Sequence, residues 1–134
     1  MAKEYGIMNI RTQYEKPYAV SGSKKNFTAA FYVNRIKIFL LNTFTVKNKK
    51  VLESFHKTND FLVGVGYTSM MDSQTIEYGL RKLSKNKENV VVEALFHPDA
   101  EHQNGEYQIP FDRQLLEKIK SMGFAITNYG GLSF

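Results

Sequence analysis

Apolar residues in this chain occur in two kinds of run. Short continuous blocks of strand length alternate with longer stretches that repeat every three or four residues. Ile7-Met8-Asn9-Ile10-Arg11 predicts a short strand, which ends before Pro17 because proline and the residue before it disfavour an immediate helix. From Asn26 to about His56 the chain is rich in Ala, Leu, Ile, Phe and Lys, and predicts one long helix or two joined near Asn42-Thr43. Phe61-Leu62-Val63-Gly64-Val65 is a continuous apolar run between Asn59-Asp60 and Gly66, as expected for a parallel strand covered on both faces. Ser73 then predicts a helix N-cap, with Ile76, Leu80 and Leu83 at helical spacing up to Lys85.

Val90 to Phe96 is the clearest strand, dense in β-branched residues and interrupted only by Glu93. Asp112 predicts the cap of a helix through Ser121, whose apolar stripe is Leu115, Leu116 and Ile119 and whose stop signal is Gly123. Phe124 to Asn128 reads as a final short strand. Helices that return the chain between strands make parallel neighbours, so the expected class is α/β, built from parallel β/α units. No linker, repeat or low-complexity tract divides residues 1–134, and one domain is expected.

Composition narrows the function classes. The chain has 134 residues, and a closed eight-stranded β/α barrel takes about 250, so a sequence of barrel type and this length supplies only part of one. There is no cysteine, which removes disulfides and thiolate metal sites. The first residues lack the apolar core of a signal peptide, and a cytoplasmic setting is expected. The Asn26-Phe27-Thr28 acceptor pattern carries no weight there. Ala29 to Leu41 is too short to span a bilayer and contains Arg35 and Lys37, so no membrane partner is expected. The net charge of +5 concentrates in Lys24-Lys25 and Lys47-Asn48-Lys49-Lys50. Neither run is interleaved with aromatics, and a solvated lysine face is expected instead of a nucleic-acid track.

In parallel β/α folds, chemistry collects beyond the carboxyl ends of the strands, where only the βα loops are free to vary. That rule selects Arg11 and Glu15 after the first strand, Tyr67 after the second, His97 and Asp99 after the third, and Asn128 after the last. His97 is the leading catalytic candidate, because an imidazole gives or takes a proton near neutrality. Strand alternation puts Glu93, Leu95 and His97 on one face, with Glu93 deeper. A carboxylate there needs a partner, and Arg11 can meet it with two hydrogen bonds. His56, near a helix end, and His102, in a polar loop, read as ordinary surface histidines. Gly64-Val65-Gly66-Tyr67 lacks the Gly-Lys-Ser/Thr of a phosphate loop and reads as a strand-end turn. The three histidines do not fall at metal-ligand spacings, and no metal site is expected from them.

The run Val91-Val92-Glu93-Ala94-Leu95-Phe96-His97-Pro98, preceded by Tyr5-Gly6-Ile7-Met8-Asn9-Ile10-Arg11 and followed by Gly123-Phe124-Ala125-Ile126-Thr127-Asn128, resembles the YdjC-like carbohydrate deacetylases, also called the ChbG family. The resemblance covers nearly the whole chain and concerns the order of the motifs as well as their residues. It implies the C-terminal portion of a metal-dependent hydrolase, about half of a distorted β/α barrel, acting on N-acetylated sugars such as chitooligosaccharides. His97 matches the family's later histidine, for which an acid or transition-state role is implied. Arg11, Glu15, Tyr67, Glu93 and Asn128 are then expected around the sugar or in support of His97.

The family's divalent metal is held by an Asp-Asp motif and histidines that this sequence does not contain, so activity is expected to need a further half. Asp99 stands where the family commonly has glycine. A half-barrel would leave sheet edges open, through which a homo-oligomer could form. The alternative expectation is a non-catalytic structural or interaction module.

Overall fold

The computed structural model describes residues 2–84, 89–97 and 105–131, and the expectations placed on Lys85, Pro98, Asp99 and His102 lie outside them. The fold is mixed α/β with parallel pairing. Strand β1 (Asn9–Ile10) pairs with β2 (His56–Lys57), and β3 (Phe61–Val63) pairs with β4 (Val92–Ala94), both in parallel.

A side chain bridges the two ladders. Thr12 N–H donates to Asn59 Oδ1 at 2.7 Å, and Asn59 Nδ2 donates back to the Thr12 carbonyl at 3.0 Å, so the buried Asn59 amide stands in for a peptide group. Backbone pairing resumes beyond it with Leu62 N–H on the Tyr14 carbonyl at 2.9 Å. The segments 8–14, 56–63 and 91–95 therefore run side by side.

Helix α1 (Ala29–Lys47) starts at Thr28, whose hydroxyl accepts the Phe31 N–H. It continues through Asn42-Thr43, where a break was an alternative. The reason is tertiary: Asn42 Nδ2 donates to the Glu15 carbonyl at 2.9 Å and its Oδ1 accepts the Glu15 N–H at 3.2 Å, so the amide is used outside its own helix. A short α2 (Lys49–Leu52) follows, and the chain is already a strand at His56. The expected helix end at His56 is thus corrected. Two residues without an apolar alternation gave β2 no signature of its own.

Helix α3 (Ser73–Ser84) is capped by Asp72, not by Ser73: the Asp72 Oδ1 accepts the Thr75 N–H at 2.8 Å. Helix α4 (Arg113–Ser121) is capped by Asp112 as expected, through the N–H groups of Gln114 and Leu115. The expected strand at 124–128 is absent from the described structure. Phe124 N–H instead closes α4 on the Ile119 carbonyl, and its ring packs on the core.

The strands feed two apolar clusters. Phe61, Val63, Val92 and Phe96 join Ile76, Leu80 and Leu83 of α3 and Leu115 of α4, whereas Leu62 and Leu95 join Ile38 and Leu41 of α1. Odd and even positions of β3 thus serve opposite faces, as the pleat requires. Among the described residues no helix is long and apolar enough to cross a membrane.

Candidate functional site

Two buried glutamates shape the carboxyl ends of β3 and β4. Glu15, 1 % exposed, accepts the Val65 N–H at 2.7 Å and the Gly66 N–H at 3.0 Å, which closes the turn that leaves β3. Glycine is required in that turn. Gly64 has φ +140°, and a Cβ there would meet the Leu95 carbonyl oxygen at 2.3 Å. A Cβ at Gly66 would press on the Glu15 carboxylate itself. Burial pushes the Glu15 carboxyl up, against the N–H groups and the Arg35 charge, which favour its ionised form.

Glu106 is the second clamp and is fully buried. Its Oε2 accepts the His97 N–H at 2.7 Å, and its Oε1 accepts the Met71 N–H at 3.0 Å. One carboxylate therefore fixes the loop after β4 to the loop before α3. The His97 residue itself is exposed. Glu106 was not selected from the sequence: Gly105, just before it, is a turn signal, but a lone glutamate beyond it carries no periodicity that would mark it as buried.

Met71 also lines a cleft of about 540 Å³ between the N-termini of α3 and α4, together with Asp72, Ser73, Gln108, Phe111 and Asp112. Ser73 Oγ donates to Asp112 Oδ2 at 2.5 Å, and Lys25 Nζ pairs with Asp72 Oδ2. The Ser73 hydroxyl, with the Leu115 N–H behind it, holds the Asp112 carboxyl below its ordinary value. At Asp72, burial acts upward and is outweighed by the Lys25 ammonium and Thr75, so its carboxyl is lowered too. Both are hydrogen-bond acceptors at neutral pH, not proton donors.

The remaining candidates fall into two places. Arg11 Nη1 meets Glu93 Oε1 at 2.9 Å, the pairing that alternation along the strand called for. Glu93 Oε2 is buried without a hydrogen-bond partner among the described residues. Tyr129 stands beside this pair, its phenol raised by desolvation first and by the Glu93 carboxylate next. Asn128, exposed, accepts the Gly131 N–H at 3.1 Å within its own turn. Tyr67 is at 0 % exposure, and its hydroxyl accepts the Val20 N–H at 2.8 Å and donates to Asn26 Oδ1 at 2.6 Å. Glu15 and Tyr67 thus meet the same strand-end turn from inside, where they set its shape and present no surface to a ligand.

Among the described residues, no three His, Asp or Glu side chains converge in a way that could hold a metal ion. The divalent ion implied by the resemblance does not fit on these side chains. Comparison with protein-family models, with curated proteins and with solved structures finds no match. The site defines no more than a mixed α/β chain whose parallel strands deliver an exposed histidine and a cleft to the strand-end loops.

Proposed function

We propose that this chain is the C-terminal part of a metal-dependent carbohydrate deacetylase of the YdjC-like type, about half of a distorted β/α barrel, in which His97 passes a proton to the departing amine of an N-acetylated sugar. The observation that supports this reading is the position of His97. It lies just beyond β4, its residue exposed and its backbone N–H anchored by the buried Glu106 at 2.7 Å, so a flexible loop does not carry it. A proton donor must be held within hydrogen-bond reach of its acceptor, and an exposed histidine on a fixed main chain meets that need. Arg11 and Glu93 pair on the sheet, and Tyr129 borders them.

On this reading the metal ion and the water it activates belong to the further half. The second reading, a non-catalytic interaction module, is favoured by a separate observation, the apolar outer face of α1.

The deciding experiment supplies the metal-binding half of a YdjC-like enzyme in trans, with a divalent ion and N-acetylated chitooligosaccharides, and measures released acetate. Acetate is expected from the mixture, and a loss of about a hundredfold or more with His97→Ala. No acetate in any combination sinks the deacetylase reading. Acetate that survives His97→Ala removes the proposed role from that histidine.

A further inference from the structure

No further inference is drawn: the strongest candidate, the groove of about 570 Å³ that α1 forms with Tyr14 and Pro17 along Ile38, Phe39, Asn42 and Val46, is an apolar face for which nothing in the structure shows what covers it.

Discussion

Glu106 ties the main chain of His97 to that of Met71: its two carboxylate oxygens accept one N–H from each, at 2.7 and 3.0 Å, inside a fully buried environment. The position of the exposed histidine is therefore set by a residue nine places further along the chain. An amide at 106 has one acceptor oxygen and would turn its own N–H group on the second donor. Glu106→Gln is expected to cost about 2 kcal/mol, read as a lower urea midpoint at unchanged slope. His97→Ala keeps the main-chain bond to Glu106 and is expected to cost less than Glu106→Gln. A large loss with His97→Ala would show the ring to be structural.

The turn after β3 gives a test of backbone geometry. Gly64 combines φ +140° with a Cβ position 2.3 Å from the Leu95 carbonyl oxygen, whereas Gly105, at φ +70°, has open space around it. Gly64→Ala is expected to cost about 3 kcal/mol or more, and Gly105→Ala about 1 kcal/mol. Equilibrium unfolding of both variants checks the order, and equal losses would mean that the β3 turn relaxes freely.

Two carboxylates should give stability opposite dependences on pH. Glu15 is raised in the folded chain, so the folded state binds its proton more tightly than the unfolded state. Its contribution is complete below the ordinary value of 4.5 and is lost as pH rises through the raised one. Asp72 is lowered, so its contribution is present above the ordinary 3.8 and is lost as pH falls through the depressed value. In unfolding free energies measured from acid to neutral pH, Glu15→Gln should remove a component that declines with pH. Asp72→Asn should remove one that grows with it.

The Arg11–Glu93 pair is partly open to solvent, with side-chain exposures of 39 % and 20 %. A double-mutant cycle of Arg11→Ala and Glu93→Gln should give a coupling of about 0.5–1 kcal/mol that shrinks with added salt. No measurable coupling would make the contact incidental.

Local signals carried what local physics decides. The alternation of apolar blocks with helical spacing marked β3, β4, α3 and α4. Asp112 capped its helix as its side chain predicts, and Glu93 called for the cation that Arg11 supplies. The parallel sense of pairing followed from the helical returns between strands. Apart from the Arg11–Glu93 pair, which joins residues 82 positions apart, the helix and strand features depend on residues within a turn or two of each other or on the period of a strand.

What only the tertiary structure decided depends on contacts between distant segments. Asn59 replaces a peptide in the sheet because Thr12 lies opposite, and β2 exists only because Met8 and Ile10 offer carbonyls to it. Glu15 and Tyr67, chosen from the sequence as rim residues, are buried because the turn they support folds over them. His97 was legible at the end of the clearest strand, but its anchor was not. Nothing near Glu106 in the sequence shows that Met71 and His97 bring their N–H groups to it, and burial of a charge is a property of the assembled fold.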